Sequence, residues 1–290
     1  MRGQRGVAMV LVLAVTGVLA LLMLQIGLTS RQQVAQAQRL VDRVEAELRL
    51  HSRESALLYS MLTRERNADP RQVANGNPYA AVWNFRGEPF QVDGATIRVQ
   101  DMSGLLPIPL PGSPTAEFAA LLVTIGVDRL RADQAARSLQ QALVTPRRMP
   151  LQSLEELAPI VGLSAAEIDR IQGLATPYPT SAVNPGTAPQ EVLAVKYAGS
   201  ALEGALALRR EGMLDERSLE RLTGEPLDDM KATFLVGPGF RLDITVDFRG
   251  VRLRRQSIWT IRPASETNPL ELWSYRAVDP VGEASPEIPR

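Results

Sequence analysis

Cysteine is absent from the 290-residue sequence, and its only histidine is His51. Without cysteine there are no disulfides, no thiol catalysis and no thiolate metal ligands, and one histidine cannot build a histidine-rich metal site. His51 has no local triad partner, so we expect a surface or packing role for it. Net charge is missing too, because 32 basic residues balance 32 acidic ones, so the chain as a whole attracts neither nucleic acid nor an acidic surface.

The most prominent feature that the sequence does contain is an uncharged run near its start. Residues 6–30 carry no charge, and residues 7–24 form an apolar core of 18 residues. This is about the length needed to cross a bilayer as a helix. Arg2 and Arg5 lie just before the run, so the positive-inside rule places the N-terminus in the cytoplasm and the bulk of the chain across the membrane.

An ordinary secretory signal is the alternative interpretation of this run. The tripeptide Ala35-Gln36-Ala37 supplies a small-x-small cleavage site. Two features oppose it. The apolar core is longer than the roughly 7 to 15 residues of most signal peptides, and the site lies well beyond its end, with Arg31 between them.

The segment after the apolar run predicts that the helix continues. No glycine or proline lies between Leu28 and Asp69. Apolar residues recur there near helical spacing at Val34, Ala37, Val41, Val44, Leu48, Ala56, Leu57 and Met61. We therefore predict one helix from Val7 to about Arg66, roughly 90 Å long, half of it in lipid and half amphipathic against a soluble domain.

A short basic leader ending at Gly6, an apolar helix starting at Val7 and its direct continuation as an amphipathic helix resemble the type IV pilin class. The resemblance implies cleavage between Gly6 and Val7 by a prepilin peptidase, and methylation. Most members carry a glutamate at the fifth mature position, where this sequence has Leu11. That absence is typical of the minor pseudopilin called type II secretion system protein K.

Further motifs are similar to the protein K family. One helical-domain motif is matched by Leu154, Glu156, Leu157, Val161 and Gly162, and a second by Asn184, Thr187, Ala188, Val192 and Leu193. Earlier in the chain, Asp101 and Gly104 fit an Asp-x-x-Gly motif. Leu105 and Pro107 depart from it, standing where the family has lysine and asparagine.

The residue patterns and the resemblance together predict an α+β fold. A long N-terminal transmembrane and amphipathic helix packs on an antiparallel, pilin-like sheet, and a large all-helical domain is inserted into that sheet. Alternating apolar residues flank two tight turns, Asp93-Gly94 and Arg249-Gly250, and predict two hairpins. The expected divisions are a leader at 1–6, a membrane helix at 7–30, the first pilin-like part at 31–103, a SAM-like or helix-hairpin-helix-like domain at 104–233 and the last strands at 234–290.

Two capping boxes are predicted within the helical domain. Ser164 is followed three residues later by Glu167, and Thr187 is followed three residues later by Gln190. In this pattern the first side chain binds a backbone N–H of the helix while the second reaches back to the cap. We therefore expect helices to begin after Ser164 and after Thr187.

Metal binding has little support in the sequence. The pairs Asp228-Asp229 and Asp243 with Asp247 are the obvious acidic pairings, and a solvated helix or strand face explains each of them better. Some protein K members bind calcium beside an acidic insertion. Here the corresponding stretch is short and contains Arg147-Arg148, so calcium is possible only by resemblance, and we expect no metal and no cofactor.

Nucleic-acid binding is a second hypothesis. Arg249, Arg252, Arg254 and Arg255 could form a polyanion patch, but strand alternation favours a solvated sheet face. The segments around Gly162 and Thr187 also echo the helix-hairpin-helix units that grip DNA phosphates, yet only Lys196 lies close in the sequence. A membrane-anchored DNA-binding protein of competence type is therefore the alternative.

The resemblance implies an interaction protein and not an enzyme. It implies a minor pseudopilin that caps the pseudopilus tip and nucleates its assembly in the inner membrane of a Gram-negative bacterium, so that folded proteins are exported across the outer membrane. The implied partners are the minor pseudopilins I and J, the major pseudopilin, the prepilin peptidase and the inner-membrane assembly platform. A minor pilin of a type IV pilus is a further alternative.

Overall fold

A single long helix dominates the computed structural model. The structure describes residues 4–66, 77–108, 115–144, 151, 153–178, 182–224, 226 and 232–278, with side chains from residue 12 onward. Helix α1 runs from Gln4 to Thr63 without interruption. Side chains 12–41 are all exposed, and α1 is the one helix in the described ranges that is long and apolar enough to cross a membrane. The prediction of one continuous helix is confirmed.

Five antiparallel strands form the main sheet, in the spatial order β1-β2-β5-β6-β7. They are β1 Phe90–Val92, β2 Ala95–Asp101, β5 Gly239–Phe248, β6 Val251–Ile261 and β7 Leu270–Val278. Asp93 and Gly94 have φ of 47° and 78°, and Arg249 and Gly250 have 47° and 82°. Two consecutive positive φ angles are the mark of the type I′ turn, whose twist suits a hairpin. Both predicted hairpins are confirmed.

The C-terminal half of α1 packs on one face of this sheet. Buried apolar residues of the sheet face α1, among them Phe240, Leu242, Ile244 and Val246 on β5. The buried positions of α1 repeat near helical spacing and are Asp42, Ala46, Leu50, Glu54, Leu57, Leu58, Ser60 and Met61. These positions share one face of α1, and the apolar ones pack against the sheet. Each Å² of apolar area buried there stabilises the fold by about 25 cal/mol.

Polar contacts also fix α1 on the sheet. The buried carboxylate of Glu54 accepts hydrogen bonds from the Arg255 guanidinium at 2.9 Å and from the Ser257 hydroxyl at 2.6 Å, both on β6. Closer to the membrane segment, Arg249 donates to the Asp42 carboxylate at 3.3 Å. These contacts form only when α1 lies at one position along its axis, so they set the register of the helix on the strands.

Between β2 and β5 the chain forms a helical block with a core of its own. Its helices are α2 Ala116–Thr124, α3 Arg129–Val144, α4 Ala158–Val161, α5 Ala165–Gln172, α6 Gln190–Lys196, α7 Gly199–Glu211 and α8 Glu216–Thr223. Two short parallel strands, β3 Leu106–Pro107 and β4 Ala175–Thr176, pair within it, and short 3-10 turns lie at Met102–Gly104 and Leu154–Leu157. Phe118, Leu157 and Leu193 belong to this core, which is separate from that of the sheet.

One of the two predicted capping boxes is confirmed. The Ser164 hydroxyl accepts from the Glu167 backbone N–H, and the Glu167 carboxylate accepts from the Ser164 N–H at 2.8 Å. The box predicted at Thr187 is wrong, because α6 begins after Pro189. The Thr187 hydroxyl donates instead to the Asp101 carboxylate, which lies on another element.

Candidate functional site

A buried carboxylate at the end of β2 connects the sheet to the helical block. Asp101 is fully buried. Its oxygens accept hydrogen bonds from Ser103 N (2.9 Å), Ser103 Oγ (2.6 Å), Thr187 Oγ1 (2.9 Å), Asn184 Nδ2 (3.5 Å) and Gly237 N (3.3 Å). These donors come from the start of the block, from its interior and from the segment that returns to β5. One side chain therefore ties together three parts of the chain, and we call this set the Asp101 joint.

Close backbone packing reinforces the Asp101 joint. A Cβ atom on Gly104 would lie 2.5 Å from the Thr187 carbonyl oxygen, so this position accepts only glycine without a backbone shift. Asn184 donates its backbone N–H to the Ser103 carbonyl at 2.7 Å and its side-chain amide to the Leu235 carbonyl at 3.0 Å. The two motifs that resemble the protein K family, 86 residues apart at Asp101 and Thr187, are thus in direct contact.

The electrostatics of the joint are those of a structural carboxylate. Burial raises the pKa of Asp101, and hydrogen bonds from Ser103, Thr187 and Gly237 partly offset that rise. Its hydrogen-bond donors are neutral hydroxyl, amide and backbone groups. With its oxygens occupied by these donors, Asp101 positions the helical block.

An exposed apolar stripe runs along α1 on the side opposite to the sheet. It consists of Val34, Ala37, Val41, Val44 and Leu48. Their spacing of three and four residues in alternation is that of a helix-to-helix seam. Val34 is 70% exposed and Leu48 is 63% exposed, and both belong to the helix that carries the apolar run. The stripe is a surface that another helix can cover.

The residues expected to be processed lie at the start of α1. Gly6, Val7 and Leu11 are within the helix, and their side chains are outside the described set. Cleavage between Gly6 and Val7, and the consequence of leucine at position 11, therefore stay predictions. His51 is exposed on α1, in agreement with the surface role expected for it.

Of the acidic residues considered as metal ligands, one pair lies beside arginines and the other is outside the described residues. Asp243 forms an ion pair with Arg254 and accepts from Gln256 at 3.0 Å, and Asp247 lies 3.7 Å from Arg252. Asp228-Asp229 falls outside the described residues. Within the described ranges no group of three or more acidic or histidine side chains could hold a metal ion. Whether the protein binds calcium stays a prediction, and it rests on the family resemblance alone.

Near the glycine hairpin after α4, two cations are held by carboxylates, and a third, Arg170, donates to the Ile125 carbonyl at 2.9 Å. Gly162 ends α4 with φ of 67° and leads into α5. The ammonium of Lys196, the cation expected near a DNA phosphate, is bound by the Glu117 carboxylate. Arg131 is bound by Glu167 at 3.0 Å. A phosphate site needs cations that are available, so the geometry does not favour the DNA-binding alternative.

Several residues of the joint were not found from the sequence. Ser103 and Gly237 were not singled out, although Asp-x-Ser is a pattern in which an aspartate accepts from the backbone two residues on. Glu54 was also missed. Its only signal is that a carboxylate occupies a position on the buried face of an amphipathic helix.

The sequence matches no protein-family model, and no curated protein matches it. The structure, however, is similar to a chain in the crystal structure of the GspK-GspI-GspJ complex from the type 2 secretion system of enterotoxigenic Escherichia coli. The TM-score is 0.52 at 15% sequence identity, and the match covers 84% of this chain and 100% of that chain. The chain therefore has a GspK-like fold, and the predicted α+β class is confirmed.

Proposed function

We propose that this protein is a minor pseudopilin of a type II secretion system and acts at the tip of the pseudopilus. The observation that carries the proposal is the uncovered apolar stripe of α1, which continues from the apolar N-terminal run and faces away from the sheet. Burying each valine or leucine of the stripe against another subunit contributes roughly 1.5–3 kcal/mol. The GspK-like fold supports this reading.

Two further features support the proposed tip position. Leu11 cannot supply the carboxylate that pairs with another subunit's N-terminal amine in pilin-like filaments. The helical block, held by the Asp101 joint, adds bulk beside the sheet that obstructs a further subunit from stacking above it. Subunits beside and below can still pack against the stripe, so the protein caps an assembly and does not polymerise alone.

The proposed partners are the minor pseudopilins I and J, because the similar chain belongs to a complex with GspI and GspJ. The major pseudopilin and the inner-membrane assembly platform follow from the same role. Arg2 and Arg5 support a cytoplasmic N-terminus by the positive-inside rule, and with it the proposal that α1 passes once through the inner membrane and that the sheet and helical block lie in the periplasm. The protein acts by assembly and not by catalysis.

The assembly test uses full-length chains in detergent. We expect the protein to form a one-to-one-to-one complex with pseudopilins I and J, with its mass measured by light scattering. Leu48→Lys places a charge in the stripe and should abolish the complex. Leu130→Lys changes an equally exposed leucine, 64% against 63%, on α3 and should not. Long filaments of this protein alone, or full assembly by Leu48→Lys, would show the proposal to be wrong.

Processing is tested separately, by the intact mass of protein extracted from membranes. A prepilin peptidase should leave Val7 as the first residue. A chain that begins at Gln38 would instead identify an ordinary secretory signal. In the same strain, Leu11→Glu should not improve secretion over the parent, because a tip subunit has no amine above it to pair with.

A further inference from the structure

A groove lies on the side of the main sheet that faces away from α1, where the helical block approaches the strands. Its volume is about 910 Å³. We call it the polar groove, and its floor is built by side chains of β2, β5, β6 and β7, including Arg98, Arg241, Arg254 and Arg276. Glu155 and Tyr178 of the helical block line its wall. The sheet face predicted to be simply solvated is thus part of a concave surface.

The lining of the polar groove is cationic. Six arginines line it, Arg86, Arg98, Arg241, Arg252, Arg254 and Arg276, against three carboxylates, Glu155, Asp169 and Asp243. Two further carboxylates, Glu88 and Asp247, lie 3.5 Å from Arg86 and 3.7 Å from Arg252, so six arginines face five carboxylates and one positive charge is in excess. Such a local field favours an anionic ligand, because a concave surface with low-dielectric walls concentrates the potential.

Two of these guanidinium groups have no carboxylate partner among the described residues. Arg254 and Arg276 form ion pairs with Asp243 and Glu155. Arg98 donates only to the Gly87 carbonyl, at 3.2 Å, and Arg241 only to the Ala175 carbonyl, at 3.4 Å. Asp243 lies directly across from Arg98 in the strand register, but its oxygens are taken by Arg254 and Gln256. Arg98 and Arg241 therefore form no direct ion pair among the described residues, although Asp243 and Glu155 lie close enough to act on the charge of Arg241.

Arg241 is a partly desolvated cation on the floor of the polar groove. Burial lowers its pKa to about 10, so the group is desolvated and still positively charged at neutral pH. A charge taken out of water is costly unless an opposite charge approaches it. A carboxylate that entered the groove beside Arg241 would provide that charge and could accept two parallel N–H bonds from the guanidinium.

The shape of the polar groove selects among anions. Four strands about 4.8 Å apart span roughly 14 Å, which is the length of about four residues of extended chain. Asp169 on the wall opposes a continuous row of phosphates, whereas it can accept from the backbone N–H groups of a peptide. Tyr178, held edge-to-face by Trp273 with ring centroids 4.8 Å apart, adds an apolar contact surface.

We propose that the polar groove binds an extended, acidic peptide segment of a partner protein, with carboxylates of the segment pairing with Arg98 and Arg241. This interaction lies outside the stripe of α1 and does not depend on the pseudopilin role.

The test uses the full-length chain in detergent and fluorescein-labelled octaglutamate as the probe. We expect saturable binding at low ionic strength that weakens as salt is added, with octaserine showing none. Arg98→Gln should weaken octaglutamate binding by about tenfold, because it removes one charge-assisted contact. Arg137→Gln, an exposed arginine of α3 that does not line the groove, should change it by less than about twofold.

Arg241 is half-buried, so Arg241→Gln is interpreted only if its unfolding midpoint matches that of the parent, and Arg276→Gln provides a second, exposed groove variant. The proposal is wrong if octaglutamate does not bind at low ionic strength, or if Arg98→Gln and Arg137→Gln weaken it equally. It is also wrong if oligothymidylate displaces octaglutamate at an equal concentration of charge, since the groove would then be a general polyanion site.

Discussion

The sheet is joined to its two neighbours, helix α1 and the helical block, in different ways. At the α1 joint, Glu54 is paired with the cation of Arg255 inside a broad apolar contact that includes Leu50 and Met61. At the Asp101 joint the partners are neutral, and the hydrophobic cores on its two sides are separate. Packing therefore holds α1 while its polar contacts set the register. The helical block is attached by the hydrogen bonds of the Asp101 joint, by the ion pair of Arg276 with Glu155 and by the ring contact of Tyr178 with Trp273.

Asp101→Asn should have the largest effect, because it places amide N–H groups against donors that now face oxygen. We expect the free energy of unfolding to fall by about 3–4 kcal/mol, as measured by chemical denaturation of the full chain in detergent. Asp133→Asn, at an exposed position of α3, is the matched control. Equal midpoints for the two variants would contradict the dependence of the block on this carboxylate.

Gly104→Ala should break the same joint by crowding. The new Cβ would meet the Thr187 carbonyl oxygen at 2.5 Å, so the backbone must shift, at a cost of about 2–3 kcal/mol. Gly173→Ala is the control, since nothing lies within 4 Å of its Cβ and its φ is −82°. The difference in unfolding midpoint between the two alanine variants measures the close contact, and no difference would exclude it.

Glu54→Gln tests the other joint and should cost about 2 kcal/mol, because the Arg255 guanidinium loses its counter-charge while the apolar contact remains. The position of the helical block should not change. The fluorescence of Trp273, which contacts Tyr178 of the block, reports that position in a variant lacking the other two tryptophans. A shifted emission in Glu54→Gln but not in Asp101→Asn would reverse the assignment of the two joints.

Glu167→Gln should have the smallest effect, about 1–2 kcal/mol at neutral pH. Hydrogen bonds from the Ser164 backbone and hydroxyl, together with those from Arg131, lower the pKa of Glu167 to about 2. Since this is below the unfolded value of about 4.5, the carboxylate stabilises the fold above that pH, and the gain disappears as the pH falls toward 2. Unfolding curves of parent and variant should converge at the acid end. Glu203→Gln, exposed on α7, should show no such pH dependence.

Local signals in the sequence were sufficient for much of the fold. The absence of glycine and proline predicted α1, and alternating residues around Asp93-Gly94 and Arg249-Gly250 predicted both hairpins. No strand was identified after Ile261, because β7 is exposed on both faces and so lacks the alternation that marks a half-buried strand. Its pairing with β6 is visible only once the sheet is formed.

The Asp101 joint shows why the site was harder to predict. Thr187 and Gln190 have the spacing of a capping box, and the local pattern gave no reason to prefer a partner 86 residues away. Resemblance marked Asp101 and Thr187 separately but not their contact. Of the apolar residues predicted at helical spacing on α1, Val34, Val41, Val44 and Leu48 are exposed, whereas Leu57 and Met61 pack on the sheet. The face of α1 that packs on the sheet includes two carboxylates, Asp42 and Glu54. Because charged residues are ordinarily exposed, a pattern of apolar residues does not identify these two positions as buried.

Because α1 is continuous, a tilt at one of its ends displaces the other end. Over roughly 90 Å, a tilt of about 10° around its first turn moves its last turn by about 15 Å. Because Asp42 and Glu54 fix the helix to β6 and its hairpin turn, there is no hinge at which this displacement could be absorbed before it reaches the sheet. A rotation or tilt of the apolar half within a membrane would therefore displace the sheet together with the helical block, which is attached to the sheet by the Asp101 joint, the Arg276–Glu155 ion pair and the Tyr178–Trp273 contact.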